Sequence, residues 1–345
     1  MQAVVLVGGE GTRLRPLTET APKPALRLVD RPFIRFMVDW LGRHGVSEVV
    51  MACGFRADLL RAALGDGPPG GPSVRYVEEP EALGTAGPVR LAADDVGLDD
   101  RFLVLNGDVL TDLDLGELLR THERAGAVAS LALYPVADPT PYGLVLTGAG
   151  GAVEAFIEKP DAADIATDLV NAGAYVLESS VLELIPPGQP MSIEREVFPR
   201  LVGRGLYGQR LEGYWMDIGT PERYLQASWD ILERRVVTDV TPTPGGEAML
   251  IEEGCEIAPD AEVGPRVVVG EGSRVGAGAV VSGSVVDSRC KLGAGTVVGG
   301  AILAPDVEVG DGARIEAGAV IGEGARIYAG TVVDGEARVP PGAGA

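Results

Sequence analysis

Residues 3–24 read AVVLVGGEGTRLRPLTETAPKP, and this stretch decides the fold of the first part of the chain. Ala3–Val7 is a continuous apolar run, the pattern of a parallel strand buried on both faces. A glycine-rich turn at the end of such a strand is where α/β sheets bind nucleotides, because glycines let the backbone approach a phosphate. Arg13, Arg15 and Lys23 follow within 15 residues. The stretch therefore predicts a polyphosphate site, although it matches neither a Walker A loop nor a dinucleotide fingerprint.

Alternating strand and helix patterns continue to about residue 235, which predicts right-handed crossovers and a mostly parallel sheet. The pattern becomes mixed after Ala127. The predicted strands are 3–7, 48–53, 74–77, 102–105, 127–134, 143–147, 153–157 and 172–177, and the predicted helices are 32–44, 56–64, 85–93, 178–185, 193–203 and 220–234.

The stretch 241–246 reads TPTPGG, and proline and glycine this dense indicate a domain boundary. Beyond it, aliphatic residues recur every six positions, with two slips of one residue. A period of six is typical of a solenoid with one inward-pointing aliphatic residue per flat face. The fourteen matching residues are Ile251, Ile257, Val263, Val269, Val275, Val281, Leu292, Val298, Val309, Ile315, Ile321, Ile327, Val333 and Val339.

This pattern resembles the hexapeptide repeat of left-handed parallel β-helices, and three hexads per coil predict about five coils. We therefore predict an α/β domain with a Rossmann-like, mostly parallel sheet over residues 1–236, a linker over 237–249 and a left-handed β-helix over 250–345. Many hexapeptide-repeat proteins are acyltransferases that use a catalytic histidine. The only histidines, His44 and His122, precede the repeat, so a scaffold is favoured over a second active site.

Composition excludes several classes of function. The 345 residues carry a net charge of −21, which argues against binding to nucleic acid or to an anionic membrane. No apolar run reaches the roughly 18 residues of a membrane span, and the N-terminus does not read as a signal peptide. The three cysteines are far apart with no Cys-x-x-Cys, which favours the cytoplasm.

Lysine and asparagine are scarce, with three lysines against 26 arginines and only two asparagines. Where lysine has been replaced almost everywhere, the lysines that remain indicate positions where the broad guanidinium of arginine does not serve. These are Lys23, Lys159 and Lys291, of which Lys291 lies in the repeat and reads as a surface residue. The asparagines are Asn106 and Asn171.

The run Gly8-Gly9-x-Gly11-Thr12-Arg13-Leu14-x-Pro16-x-Thr18, followed by Pro22-Lys23-Pro24, resembles the signature of sugar-1-phosphate nucleotidyltransferases, or nucleotide-sugar pyrophosphorylases. The C-terminal repeat also occurs in this family. The segments 83–87, 192–199 and 215–221 favour the mannose-1-phosphate guanylyltransferase subgroup over thymidylyl and uridylyl relatives. Two of the lysines and both asparagines fall within the matching motifs, which further include Glu79, Asn106–Asp108, Tyr142–Gly143, Glu158–Pro160 and Asn171–Gly173.

The resemblance implies a Mg²⁺-dependent enzyme that transfers a nucleotidyl group from a nucleoside triphosphate, GTP by subgroup, to mannose 1-phosphate. It gives a GDP-sugar and pyrophosphate. The implied catalytic residues are Arg13, Lys23 and Asp108, with Asp108 and Asp217 as metal ligands. The implied nucleotide site comprises Gly8, Gly9, Gly11, Thr12, Arg13, Lys23, Glu79, Gly84 and Thr85, and the sugar-phosphate site comprises Gly143, Glu158, Lys159 and Asn171.

Several alternatives stay open. Asp108 and Asp217 are also placed to cap helices, and Glu79 stands in an acidic run typical of a solvated edge. Ala82 occupies a position where the family often has proline, which leaves the base open. The same chemistry with glucose or heptose 1-phosphate, or with dTTP or UTP, and a non-catalytic nucleotide-sugar-binding regulatory subunit are the competing functions.

We also expect a homo-oligomer, because hexad solenoids present flat, aliphatic-rich sides and an open last coil that need covering. The expected interface lies within residues 250–340.

Overall fold

The apolar run at the N-terminus forms a strand at the centre of a mixed sheet. The computed structural model describes residues 1–54, 56–158, 165, 167–245 and 247–345. Before the repeat, the helices are α1 (Phe33–Arg43), α2 (Ala57–Leu64), α3 (Gly87–Val96), α4 (Leu115–Ala125), α5 (Phe198–Leu201) and α6 (Pro221–Leu232). The strands are β1 (Gln2–Leu6), β2 (Arg27–Leu28), β3 (Arg31–Pro32), β4 (Glu48–Cys53), β5 (Ser73–Glu78), β6 (Arg101–Asn106), β7 (Val109–Thr111), β8 (Ala129–Pro135), β9 (Gly143–Thr147), β10 (Val153–Glu158), β11 (Leu169–Glu178), β12 (Leu206–Arg210) and β13 (Trp215–Asp217).

Strand β1 lies parallel between β4 and β6, with Val4 opposite both Val50 and Val104. Strand β5 extends this parallel part beside β4. Strand β11 runs antiparallel to β6, β8 and β9, and β12 pairs parallel with β8. The sheet has nine strands, and its buried core includes Tyr175 and Phe198. The predicted fold, a mostly parallel sheet that becomes mixed after residue 127, is confirmed.

Some elements differ from the prediction. Helix α4 was not predicted, although its ends carry explicit signals: Asp114 accepts a hydrogen bond from the Glu117 amide, and Gly126 closes the helix in the left-handed conformation. The predicted helix over 193–203 is a π-turn, Ile193–Val197, followed by the single turn of α5. Pro199 near the start of α5 has no amide hydrogen to donate, which limits regular helix there.

Sixteen short strands form the C-terminal solenoid, in three parallel sheets of six, five and five strands. The strands are β14 (Met249–Ile251), β15 (Glu256–Ile257), β16 (Glu262–Val263), β17 (Val267–Val269), β18 (Arg274–Val275), β19 (Val280–Ser282), β20 (Val285–Val286), β21 (Lys291–Leu292), β22 (Val297–Gly299), β23 (Ile302–Leu303), β24 (Glu308–Val309), β25 (Arg314–Ile315), β26 (Val320–Ile321), β27 (Arg326–Ile327), β28 (Val332–Val333) and β29 (Arg338–Val339).

Each residue of the six-residue pattern lies in one of these strands, so the hexad prediction is confirmed, and the arrangement is the one expected of a left-handed parallel β-helix. The two slips in the pattern are shortened turns, one between β19 and β20 and one between β22 and β23. They stack at the same corner, because β19 pairs with β22 and β20 pairs with β23. Val286 and Leu303 therefore stay aligned in the core despite the slips.

The chain divides into two compact units. One comprises Met1–Gly9 and Phe36–Trp215, and the other comprises Glu10–Arg35 and Met216–Ala345. The glycine-rich loop after Gly9 therefore groups with the β-helix, although it is distant from it in sequence. In the part of the chain that the structure describes, no helix is long and apolar enough to cross a membrane.

Candidate active site

In the first unit, the turn after β1 is tightly packed at Gly8. A Cβ at this position would lie 3.0 Å from Oε1 of Glu79, and a Cβ at Gly54 would lie 3.2 Å from the carbonyl oxygen of Gly8. The backbone of the turn thus lies directly against the neighbouring strand end and a carboxylate. Gly9 has open space around its Cβ position.

Glu79 is fixed and half-buried rather than freely solvated. Its amide donates to the carbonyl oxygen of Cys53 at 2.8 Å, and its Oε2 accepts from the amide of Leu83 at 3.0 Å. Burial raises the pKa of the Glu79 carboxyl, and the hydrogen bond from Leu83 partly opposes that effect. The side chain is therefore ordered beside the Gly8 turn, where sequence alone left a solvated edge open.

Gly84 and Thr85 are tied to a segment more than a hundred residues later. The amides of Thr85 and Ala86 both donate to the carbonyl oxygen of Met191, at 3.1 and 2.9 Å. Gly84 has φ +75°, and a Cβ there would lie 2.5 Å from the same oxygen, so only glycine fits. The amide of Ile193 also donates to the Thr85 hydroxyl at 2.9 Å, so the structure joins two of the sequence motifs, 83–87 and 192–199.

A chain of hydrogen bonds connects Thr85 to Asn171. The Thr85 hydroxyl donates to Oε2 of Glu194 at 2.6 Å, and the Tyr175 hydroxyl lies 3.4 Å from Oε1 of the same carboxylate. Nδ2 of Asn171 donates to the Tyr175 hydroxyl at 2.8 Å. A predicted nucleotide residue and a predicted sugar residue are therefore linked through Glu194 and Tyr175, neither of which was predicted as a site residue. Glu194 stands in the 192–199 motif, which was the available signal.

Both asparagines of the chain flank one glycine on β11. Oδ1 of Asn171 accepts from the amide of Gly173 at 3.0 Å. Gly173 has φ +72°, and a Cβ there would lie 2.8 Å from Nδ2 of Asn106. The indole of Trp215 donates to the carbonyl oxygen of Ala172 at 2.8 Å. Both asparagines therefore contact the irregular segment of β11. These contacts give each of them a structural role.

In the second unit, Gly11 packs the loop against its own later residues. Gly11 has φ +63°, and its Cβ position lies 3.0 Å from Cγ2 of Thr18 and 3.1 Å from Cβ of Lys23. The Thr18 hydroxyl donates to the carbonyl oxygen of Gly11 at 3.0 Å. Thr12 and Arg13, between these residues, are exposed.

Lys23 and Asp217, about two hundred residues apart in the chain, form an ion pair. Nζ of Lys23 lies 3.8 Å from Oδ1 of Asp217. Arg223 contacts the other carboxylate oxygen at 3.3 Å and donates to the Asp217 carbonyl oxygen at 3.2 Å. Lys23 is only 8% exposed. Arg223 was not predicted, because one arginine among 26 carries no signal.

Arg13 lies against Gly219. A Cβ at Gly219 would lie 2.7 Å from Nη2 of the Arg13 guanidinium. The glycine-rich run and the 215–221 motif therefore meet within this unit, with Arg13, Lys23 and Asp217 at their junction.

The capping alternatives for the two aspartates do not match the structure. Thr220 caps α6, accepting from the amide of Arg223 at 3.4 Å, so Asp217 precedes the cap. Asp108 is followed by β7, and the next helix is capped by Asp114. Gly107 beside it requires the absence of a side chain, because a Cβ would lie 2.8 Å from the carbonyl oxygen of Leu6.

Gly143 begins β9 and pairs with Glu158 at the end of β10. This pairing brings together two of the residues predicted to bind the sugar phosphate. The side chain of Glu158 and the whole of Lys159 lie outside the described residues. Tyr142, next to Gly143, contacts the ring of Trp215, with 5.3 Å between ring centroids.

The chain combines an α/β sheet and a glycine-rich loop with a hexapeptide-repeat β-helix. This is the arrangement that the resemblance to sugar-1-phosphate nucleotidyltransferases implies. The nucleotidyl transferase family profile matches residues 2–234, and the GMPPB C-terminal domain profile matches residues 246–341. The chain therefore belongs to the nucleotidyl transferase family, as its motifs predicted.

Curated relatives extend the similarity over most of the chain. Mannose-1-phosphate guanylyltransferase of Mycobacterium tuberculosis (strain ATCC 25618 / H37Rv) is 38% identical over 93% of this chain and 83% of its own length. Mannose-1-phosphate guanylyltransferase 1 of Arabidopsis thaliana is 36% identical over 93% of this chain and 96% of its own length. Among solved structures, HddC from Yersinia pseudotuberculosis is 26% identical with a TM-score of 0.58, covering 67% of this chain and 99% of its own. HddC has also been solved in complex with GMP-PN.

Proposed function

We propose that this enzyme transfers a guanylyl group from GTP to mannose 1-phosphate, giving GDP-mannose and pyrophosphate. The observation that carries the proposal is the junction of Arg13, Lys23 and Asp217, where two family motifs meet around a buried lysine. The names of the curated relatives support the choice of substrates.

In the proposed reaction, an oxygen of the sugar phosphate attacks the α-phosphorus of the triphosphate in line. The bond from the α-phosphorus to the bridging oxygen breaks, and pyrophosphate leaves with that electron pair. The nucleophile is already an anion, so no general base is needed. The enzyme must instead position two anions that repel each other and neutralise charge in the transition state.

Arg13 and Lys23 would hold the triphosphate and stabilise the departing pyrophosphate. The buried ammonium of Lys23 is a compact charge that pairs with Asp217. In an environment largely removed from water, such a charge interacts with phosphate more strongly than an exposed one. The exposed Arg13 packs along Gly219 and presents a planar fork suited to phosphate oxygens.

Asp108 and Asp217 are the proposed ligands for Mg²⁺. Carboxylate oxygens are the donors that Mg²⁺ prefers, and it commonly takes one or two of them together with substrate phosphates. Within the described ranges, no group of three or more metal-ligating side chains occurs, and a site of this type does not require one. When bound, Mg²⁺ supplies positive charge to the phosphate oxygens.

On the proposed sugar side, Asn171 and the backbone of Gly143 would contact hydroxyl groups, together with Glu158. Lys159 would hold the sugar phosphate. The Asn171 amide already holds Gly173 and Tyr175, so it is rigid. On the nucleotide side, Glu79 would accept from the N–H groups of guanine. The three cysteines are free thiols, which supports a cytoplasmic enzyme.

Pyrophosphate release with Mg²⁺ tests the proposal, with four nucleoside triphosphates crossed against mannose, glucose, galactose and heptose 1-phosphate. A dominant signal for GTP with mannose 1-phosphate is expected. A dominant signal for another pair would keep the chemistry and overturn the substrates.

The Asp108→Ala variant separates an enzyme from a regulatory nucleotide-sugar-binding subunit. We expect turnover to fall on the order of 10³-fold, because a charge that acts in the transition state is lost. Binding of GDP-mannose, measured by calorimetry, should change far less. Equal turnover in wild type and variant would remove Asp108 from the site, and a wild type that binds GDP-mannose without any turnover would favour the regulatory subunit.

A further inference from the structure

The loop that carries Lys23 continues directly into contacts with the β-helix, inside the same compact unit. A short helical turn, Lys23–Ala25, leads into the hairpin of β2 and β3. Arg27, in β2, lies four residues after Lys23. Lys23 is therefore only four residues away from the contacts that hold Arg27.

Arg27 is inserted between two acidic side chains of the β-helix. Its Nη2 pairs with Oε2 of Glu252, which follows β14, and its Nε lies 3.7 Å from Oδ1 of Asp287, which follows β20. The hydroxyl of Tyr224, on α6, donates to the Arg27 carbonyl oxygen. Both the side chain and the backbone of Arg27 are thus held.

These charged groups are largely removed from water. The side chain of Asp287 is 10% exposed and that of Glu252 is 17% exposed. Burial raises the pKa of both carboxyls, and the nearby Arg27 charge acts in the opposite direction. Removing Arg27 would leave the two carboxylates without the cation that pairs with both of them, which a protein interior tolerates poorly.

Apolar packing between the loop and the β-helix is incomplete beside the contacts of Arg27. A cavity of about 230 Å³ lies between the loop and the β-helix. Its lining includes Leu17, Ala21 and Ala25 from the loop and Ile302 and Pro305 from the β-helix. The apolar surfaces are therefore not in full contact beside the polar contacts of Arg27.

We propose that Arg27 is a positioning residue for the nucleotide site. Its attachment to Glu252 and Asp287 makes the β-helix a brace that fixes the Lys23 loop. The β-helix thereby contributes to catalysis without touching substrate. The inference rests on the proposed function for its kinetic readout, and it has a second readout that does not.

The kinetic test compares Arg27→Met, Arg27→Lys and Asp287→Asn with the wild type. We expect Arg27→Met to raise the KM for GTP and lower kcat, with a combined loss in kcat/KM of roughly tenfold to a hundredfold. The KM for mannose 1-phosphate should stay within about twofold, because the contacts argued to be lost hold Lys23. Arg27→Lys should retain part of the kcat/KM that Arg27→Met loses. Asp287→Asn should also raise the KM for GTP.

Arg314→Met is the matched control. Arg314, in β25, pairs through Nε with Oε1 of Glu316 at 2.8 Å, and both side chains are exposed on the β-helix. Its removal should leave all kinetic constants unchanged. Equal increases in the KM for both substrates after Arg27→Met, together with a lower melting temperature, would indicate general destabilisation and overturn the positioning role.

Hydrogen exchange without substrate is the second readout. Amides of residues 14–26 should exchange at least about tenfold faster in Arg27→Met, as expected when a buried ion pair loses one partner. Exchange in β1, β4 and β6 should stay as in the wild type. Unchanged exchange over residues 14–26 would overturn the brace. Inactivity of the wild type with every substrate pair would instead refute the proposed function and leave this readout intact.

Discussion

The buried lysine of the glycine-rich loop shows what a single residue type can reveal. Lys23 and Lys291 are two of only three lysines in the chain. Lys23 is buried against Gly11 and Asp217, whereas Lys291 is exposed and pairs with Glu308 at 2.7 Å. The scarcity of lysine indicated positions where arginine would not serve, and of the two lysines that the structure describes, Lys23 is the buried one, beside Asp217.

We predict that Lys23→Arg lowers the rate of pyrophosphate release with GTP and mannose 1-phosphate by roughly a hundredfold. The planar guanidinium of arginine does not reproduce the compact ammonium that pairs with Asp217, and it moves the positive charge away from the place the ammonium occupies. Lys291→Arg makes the same chemical change on the surface and should retain full activity. Circular dichroism of both variants should match the wild type. Full activity in Lys23→Arg would show that the site needs only a positive charge.

Other residues of the site could not be predicted from the sequence. Arg223 and Tyr175 have ordinary residue types at unremarkable positions, and their roles arise from partners far away in the chain. Glu194 lay in a quoted motif, but only the structure shows its hydrogen bond to Thr85. Motifs predict which segments form the site, and tertiary contacts decide which side chains connect them.

At the level of elements, predictability follows the strictness of the geometry. A β-helix repeats one short strand and one turn, so an inward-pointing residue every six positions could be read directly from the sequence. Even the two slips corresponded to real shortened turns. The strands β7 and β13 have only three residues each, which is too few for a period to be recognised.

Helix α4 is held to the sheet through a buried histidine. His122 on this helix has Nδ1 2.9 Å from the Ser130 hydroxyl on β8 and Nε2 2.9 Å from the Glu178 carboxylate at the end of β11. Burial lowers the pKa of His122 below its ordinary value of 6.5, and Glu178 opposes the shift. The unfolded chain therefore takes up this proton at higher pH than the folded chain.

It follows that the contribution of neutral His122 to the free energy of unfolding is lost as the pH falls below about 6.5. We predict that the melting temperature of the wild type decreases between pH 7 and pH 5. The decrease should be smaller in His122→Gln, by roughly 2–4 °C over this range. The comparison between wild type and variant isolates His122, because other groups titrate in both. Thermal unfolding at constant ionic strength measures it. The matched control is His44→Gln. Replacing His44 should leave the contribution of His122 to the pH dependence in place. Parallel profiles for wild type and His122→Gln would contradict the prediction.

For the whole molecule, the compact units group segments that are distant in the chain. The division into domains at residues 236 and 250 stays a prediction, and Glu10–Arg35 falls in the compact unit that contains the β-helix. A change in composition marks where the chain alters its repeat, but it carries no information about which distant segments touch. A truncation after Arg235 would therefore also remove Glu252 and Asp287, which hold the loop.

The predicted oligomer is better tested by a surface substitution. Val332 in β28 is 65% exposed, and Tyr328 after β27 is 64% exposed, so large apolar side chains stand on the surface of the last coils. Covering these side chains in a contact with another protein surface would remove apolar area from water, which is favourable. We predict that wild-type protein has a mass by light scattering that is a multiple of the chain mass, and that Tyr328→Glu with Val332→Lys shifts it to a smaller assembly. Val237→Lys, at an equally exposed valine (64%) outside the β-helix, is the control and should keep the wild-type mass. A wild type that is a monomer would refute the oligomer, and an unchanged mass in the double variant would place its interface elsewhere.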